Sequence, residues 1–244
     1  MLKKPNVIIA ILSAVLLILI ARYFFVNREA IFVLSSQLSG KEEVGKAYRV
    51  IIDPGHGGVD PGKVAASGAH EKDINLKIAQ KLKTFLEAQD VYVVMTRETD
   101  EGLYSPGASN KKVEDMKNRL VLIESAGADV AVSIHQNSYH QEAIHGAQVF
   151  YYTSSKAGKK LSEIIQARLI AGVDPDNRRQ AKGNDSYYLL KKTTIPLAII
   201  ECGFLSNAAE AGKLSDDYYQ EKLAWAIHLG IMQYLNQVTI QGKP

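Results

Sequence analysis

Val50-Ile51-Ile52-Asp53-Pro54-Gly55-His56-Gly57-Gly58 reads as a buried strand that delivers a histidine into a glycine-rich loop. Three consecutive β-branched residues suit a strand covered on both faces. Pro54 and Gly55 stop it, and the glycines after His56 let the backbone bend and a ligand approach closely. Alone, the stretch also fits a tight turn with a surface histidine. The pattern, however, recurs. Asp129-Val130-Ala131-Val132-Ser133-Ile134-His135-Gln136-Asn137 is a second apolar strand ending on a histidine, and Pro196-Leu197-Ala198-Ile199-Ile200-Glu201-Cys202-Gly203-Phe204 is a third, ending on a carboxylate.

Helical periodicity fills the spaces between them. Ile74, Ile78, Leu82, Phe85 and Leu86 follow Asp73, a residue suited to an N-cap, so Glu71 is expected just before a helix. Val113, Met116, Leu120 and Ile123 mark a second helix, closed by Gly127. Leu161, Ile164, Ile165 and Leu169 mark a third, and Leu223, Ala226, Ile227, Gly230, Ile231 and Tyr234 the last. Ser206-Asn207 followed by Glu210 reads as a helix start. Val91–Thr96 and Gly146–Tyr152 read as further strands, and Tyr187–Leu190 as a short edge strand. Strands alternating with helices predict an α/β sheet covered on both faces.

Composition narrows the function classes. Of 244 residues, 46% are hydrophobic, enough for one sizeable core. The only cysteine, Cys202, excludes an internal disulfide; it follows Glu201 on a buried strand and reads as core. The net charge of +3 is carried by residues 1–29, and no basic–aromatic stripe marks a nucleic-acid surface. Lys3 and Lys4 precede an apolar run from Val7 to Ala21, with Arg22 and Tyr23 at its far end. As a helix, Val7 to Val26 would span roughly 30 Å, about a bilayer core. No small-x-small cleavage site lies close by, which favours an uncleaved membrane anchor over a signal peptide. The expected organisation is an anchor or signal segment over 1–28, a tether over 29–47, a catalytic domain over 48–238 and a tail over 239–244.

In open α/β sheets, ligands bind at the carboxyl ends of the strands. His56, His135 and Glu201 end three strands, and Glu71 precedes the helix that follows the first, which returns it toward the same edge. Two histidines and a carboxylate around an open position form a usual catalytic zinc shell, and a further carboxylate can carry the proton. The four groups are far apart in the chain and match no local zinc motif. Turn or core histidines beside unrelated carboxylates remain open on this reading. His70 could substitute for Glu71 as a ligand; His140 and His145 read as surface residues and His228 as partly buried structure. Asn137 could support the site or bind substrate, and Asp53 could orient a ligand histidine or start the turn. Arg178, Arg179, Tyr187 and Tyr188 could face a substrate or lie on a solvated loop and edge.

Four ordered motifs resemble the zinc-dependent N-acetylmuramoyl-L-alanine amidases: Ile52-Asp53-Pro54-Gly55-His56-Gly57-Gly58, Glu71-Lys72, Ser133-Ile134-His135-Gln136-Asn137 and Glu201-Cys202-Gly203-Phe204-Leu205-Ser206-Asn207. The resemblance spans about residues 48–236. It implies a mixed, mostly parallel sheet and Zn2+ held by His56, Glu71 and His135, with Glu201 as the catalytic carboxylate. The implied reaction is hydrolysis of the amide between the lactyl group of muramic acid and L-alanine in peptidoglycan. The N-terminal segment, the Leu38-Ser39-Gly40-Lys41 tether and Met95-Thr96-Arg97-Glu98-Thr99-Asp100 are most similar to the sporulation amidases that prepare spore cortex for muramic-δ-lactam formation. That subgroup implies an extracytoplasmic enzyme, a deacetylase acting on the same glycan and an activating lipoprotein. Two other readings stand beside it: a zinc carboxypeptidase-like peptidase on stem peptides, and a non-catalytic wall-binding domain.

Overall fold

The computed structural model describes residues 48–240 and, before them, only Leu16. The chain divides into two units, 1–46 and 47–244. The expected anchor and tether therefore lie outside the described residues, Leu16 excepted. Among the described residues no helix is long and apolar enough to cross a membrane.

The three apolar stretches form the centre of one six-stranded sheet. Its strands are β1 (Arg49–Pro54), β2 (Tyr92–Met95), β3 (Val130–Asn137), β4 (Gln148–Tyr151), β5 (Lys182–Gly183) and β6 (Leu197–Phe204), in the order β2-β1-β3-β6-β4-β5. Pairings β1–β2, β1–β3, β3–β6 and β4–β5 are parallel, and β4–β6 is antiparallel. The helices are α1 (Glu71–Glu87), α2 (Lys111–Ser125), α3 (Lys156–Gly172), α4 (Tyr188–Lys192), α5 (Ala208–Ser215) and α6 (Asp217–Ile240). The last runs two residues past the expected domain end.

Because alternate strand residues face opposite ways, each central strand feeds two cores. Val50, Ile52, Val130, Val132, Ile134, Ala198 and Ile200 pack in the larger core with α1, α3, α5 and α6. Ile51, Ala131, Leu197 and Ile199 pack in a smaller one with α2 and α4. Continuing that second parity gives Asp53, Ser133, His135 and Glu201. The thinner face thus carries the polar residues, and register sets His135 directly beside Glu201 and Asp53 beside Ser133.

Two sequence expectations are corrected. Tyr187–Leu190 is not an edge strand. The Asn184 carboxamide oxygen accepts from the Ser186 and Tyr187 N–H groups at 2.8 and 2.9 Å, turning the chain into α4, and Lys182–Gly183 takes the edge. Asp73 is not the N-cap of α1. The helix begins at Glu71, because the preceding loop serves its first N–H groups: Glu71 donates to the Lys63 carbonyl at 2.8 Å and Lys72 to that of Pro61 at 3.1 Å. Gly127, at φ +59°, follows the C-cap of α2 as expected.

His228 on α6 is only 3% exposed, more fully enclosed than expected, and lies against the rings of Phe85 and Trp225. Neither ring nitrogen has a hydrogen-bond partner among the described residues. Burial therefore pulls its pKa below the ordinary histidine value. The unfolded chain takes up this proton near pH 6.5, before the folded chain does, so stability is full above that value and falls as pH drops below it. We expect His228→Leu to remove up to about 1.4 kcal/mol per pH unit of this slope. Denaturant titrations between pH 8 and 5 check this (roughly the histidine range); an unchanged slope would refute it.

Candidate metal centre

β1 ends against its neighbour: Gly55 N–H donates to the Ile134 carbonyl at 2.9 Å, and a Cβ on Gly55 would sit 2.1 Å from the His135 ring. Only glycine lets the strand end lie on that imidazole. His56 then takes φ +62°, a left-handed conformation uncommon for a non-glycine residue. Two arginines hold it there. Arg97 donates to the carbonyls of Pro54 at 3.1 Å and Gly55 at 3.0 Å. Arg119, 1% exposed, donates to Asp53 Oδ1 at 2.6 Å, the Pro54 carbonyl at 2.7 Å and the His56 carbonyl.

Glu71 closes the cluster from the first turn of α1. Its Oε1 lies 3.2 Å from His56 Nε2 and 3.0 Å from His135 Nδ1. The same oxygen accepts from the Gln136 N–H at 3.0 Å and Asn75 Nδ2 at 3.3 Å, while Oε2 accepts from the Lys63 N–H at 2.8 Å. Burial opposes charge on Glu71, but the hydrogen bonds and charge of His135 and His56 outweigh it and hold the carboxyl far below the usual range. A Cβ on Gly62, at φ +64°, would meet Glu71 Oε2 at 2.6 Å and His56 at 2.7 Å, so the loop packs directly on both side chains.

One ligand atom each from His56, Glu71 and His135 lies within 4.8 Å of the others. Two nitrogen or oxygen ligands about 2.0–2.1 Å from a tetrahedral zinc lie roughly 3.3 Å apart. The observed 3.0 and 3.2 Å contacts match that spacing, and two imidazoles with one carboxylate suit a borderline-soft ion. The residues fit zinc.

Glu201 completes the floor of a cavity of about 470 Å³ that also holds His56, Glu71 and His135. It is 7% exposed; Oε1 accepts from the Tyr187 hydroxyl at 3.3 Å, and Oε2 has no partner among the described residues. Burial pushes its carboxyl pKa up; His135 opposes the rise and Glu71 adds to it. Burial and the Glu201 charge likewise raise the Tyr187 phenol, which stays protonated as the donor.

The remaining sequence candidates divide. Asn137 lines the cavity beside Ser138, whose N–H its Oδ1 accepts at 2.7 Å. Tyr187 and Tyr188 line it too. Arg178 does not: it lies exposed on the 174–181 loop, bonded to the Pro175 carbonyl. Arg179 also turns elsewhere, donating to the His145 carbonyl at 2.7 Å. His70 contacts Asp73 at 3.8 Å rather than the cluster. His140 and His145 are exposed, and neither lines this cavity. Asp53 binds Arg119, Thr96 and Ser133 and makes no hydrogen bond to a ligand histidine. Cys202 is wholly buried in the larger core, and burial raises its thiol pKa.

The sequence reading missed Asp60, Asn75, Arg97, Arg119 and Gln136. Three carried a local signal: two glycines after His56 allow a turn that returns the Asp60 carboxylate, Asn75 lies one helical turn from Glu71, and Gln136 follows His135. Arg97 and Arg119 act from distant elements.

Comparison with known proteins places the chain among relatives. The sequence profile described as N-acetylmuramoyl-L-alanine amidase matches residues 50–233. The chain is 35% identical over 245 aligned residues to the germination-specific N-acetylmuramoyl-L-alanine amidase of Bacillus subtilis, covering 99% of this chain and 98% of that protein. It is 33% identical to N-acetylmuramoyl-L-alanine amidase LytC of the same organism over 76% of this chain, but spans only 35% of that longer protein. Among solved structures, the CwlD amidase of Clostridioides difficile, in complex with the GerS lipoprotein, superposes with a TM-score of 0.76 at 44% identity, covering 78% of this chain and 98% of that one. The mixed, mostly parallel α/β fold expected from the sequence is shared with it.

Proposed function

We propose, since this chain belongs to the N-acetylmuramoyl-L-alanine amidase family, that it is a zinc-dependent amidase using His56, Glu71 and His135 as ligands and Glu201 as the proton carrier. The observation that carries this reading is the unpartnered Oε2 of buried Glu201, in the same cavity as the two-histidine, one-carboxylate cluster. The bond cut is the amide joining the lactyl group of muramic acid to L-alanine in peptidoglycan.

Zinc, when bound, would supply Lewis acidity toward water and toward the amide carbonyl. The chain does the rest. Glu201 receives a proton from the attacking water at Oε2 and returns it to the departing L-alanine nitrogen. Its raised pKa brings its basicity closer to the operating pH, and the Tyr187 hydroxyl holds the carboxylate from Oε1. Glu71, pinned by N–H donors from three segments, has no comparable freedom to shuttle protons. Met116, Tyr188 and Leu189 give the cavity lining apolar surface suited to a sugar face, and Asn137 offers a polar contact in the same cavity.

The relatives and the N-terminal segment support a setting. A germination-specific relative supports action outside the cytoplasm on peptidoglycan; a role in spore cortex, with muramic-δ-lactam formation completed by a deacetylase, is what the resemblance to the sporulation amidases implies. The apolar run from Val7 to Ala21 supports membrane attachment. The lipoprotein complex of the C. difficile enzyme supports a lipoprotein partner here.

Metal content and digestion products test the chemistry together. The full chain, loaded and assayed on purified peptidoglycan, should carry about one zinc and release intact stems with free L-alanine amino termini by mass spectrometry. Shortened stem peptides would mean a carboxypeptidase-like enzyme. Wall binding without zinc or cleavage, with added zinc and a sporulating-cell extract supplied, would mean a non-catalytic domain.

A further inference from the structure

The loop that presents His56 folds back on itself at once. Gly57 N–H donates to the Asp60 carbonyl at 3.1 Å and Asp60 N–H to the Gly57 carbonyl at 3.2 Å. This returns the Asp60 carboxylate to the histidine ring, with Oδ2 3.0 Å from Nδ1. The two Asp60 oxygens do separate things. Oδ1 accepts from the Gly62 N–H at 3.1 Å and so shapes the loop, while Oδ2 faces the imidazole and lies 3.5 Å from Lys112 Nζ on α2.

A neutral imidazole has one N–H, and a carboxylate only accepts. Carboxylate oxygens face both ring nitrogens, Asp60 at Nδ1 and Glu71 at Nε2; a metal held at Nε2 would use that lone pair and leave the single N–H at Nδ1, where Asp60 accepts it. Nε2 is the atom that faces Glu71 Oε1 at 3.2 Å. We infer that Asp60 is the positioning residue of the centre: it fixes the tautomer and ring direction of His56 so that Nε2 meets the metal, and Lys112 restrains the carboxylate from outside. This rests on the zinc reading above. Arg97 and Arg119 hold the backbone around His56; Asp60 is the group that holds its ring.

The Asp60 side chain is 29% exposed, so truncating it strands no buried charge and the fold should survive. The test uses the full chain stripped of metal and titrated with zinc, with affinity read by chelator competition. Asp60→Ala should weaken zinc by about 10–100-fold, as loss of a supporting partner does. Asp60→Asn, which keeps an acceptor oxygen, should lose less. In a His56→Ala background, Asp60→Ala should add nothing. A parent chain that bound no zinc would overturn the zinc reading itself. Parent-like zinc affinity in Asp60→Ala would overturn the inference. So would equal weakening in the His56→Ala background, which would mark a general loop effect.

Discussion

Glu201→Gln is expected to bind zinc like the parent chain and to hydrolyse peptidoglycan about 10²–10⁴-fold more slowly, the span of general acid–base catalysis. That loss corresponds to about 2.7–5.4 kcal/mol of transition-state stabilisation. Glutamine keeps the side-chain shape and an oxygen that can accept from the Tyr187 hydroxyl. It cannot take a proton from water, and its amide nitrogen would point a donor where Oε2 now presents a bare acceptor. The substitution therefore isolates proton transfer from packing. Zinc content and turnover must be measured on the same sample, because Glu201 is the register neighbour of His135 and could in principle serve as a ligand. Parent-like zinc with lost turnover separates the roles. Lost zinc would make Glu201 a ligand, and turnover above about a tenth of the parent rate, the equivalent of less than 1.4 kcal/mol, would remove it from the mechanism.

The parts legible in the sequence are those with a local physical signature. β1, β3 and β6 announce themselves as apolar runs with sharp polar ends, and strand parity then sets His135 and Glu201 on one face. Glu71 was legible as belonging to this edge but not as the first residue of α1. The groups that cap the helix there are carbonyls of Pro61 and Lys63, and a carbonyl has no residue type. Tyr187 was misread as part of a strand because its aromatic and leucine neighbours suit β-structure, whereas the Asn184 turn just before it sets a helix. Arg178 looked like a substrate contact only by charge, and its loop carries it away from the cavity. Arg119 was invisible for a different reason. On α2 it stands at helical spacing between Met116 and Ile123, but its charge argues for solvent; it is one of the most buried side chains because its partners, Asp53 and the Pro54 and His56 carbonyls, lie more than sixty residues earlier.

That burial makes Arg119→Met the substitution with the largest expected effect on stability, a loss of about 3–5 kcal/mol. Methionine keeps an unbranched stem, but it leaves Asp53, 1% exposed, without its counter-charge. It also removes the donor to the Pro54 and His56 carbonyls and to Asp115 Oδ2, now 2.5 Å from Nε. Thr96 and Ser133 still donate to Asp53 at 2.7 and 2.6 Å, which argues for the lower end of the range. Burial opposes charge on Asp53, yet Arg119 and these hydroxyls hold its pKa below the ordinary value. The stability they confer is therefore present above about pH 3.9 and is lost as pH falls through the depressed folded value. Denaturant titration at neutral pH checks the magnitude, and a loss below about 1 kcal/mol would show that the pair is not fully desolvated. Adding Asp53→Asn to Arg119→Met should recover part of the loss, since an amide tolerates burial that a lone carboxylate does not. Arg119→Lys should fall between, because one ammonium cannot reach acceptors spread along both edges of a planar guanidinium. Zinc affinity should fall with stability in Arg119→Lys and Arg119→Met and stay low when Asp53→Asn is added, since the donor to the His56 carbonyl at φ +62° is the same group that neutralises Asp53. The arginine thus couples the charge at the end of β1 to the backbone of His56 that follows it, and losing the guanidinium loosens both.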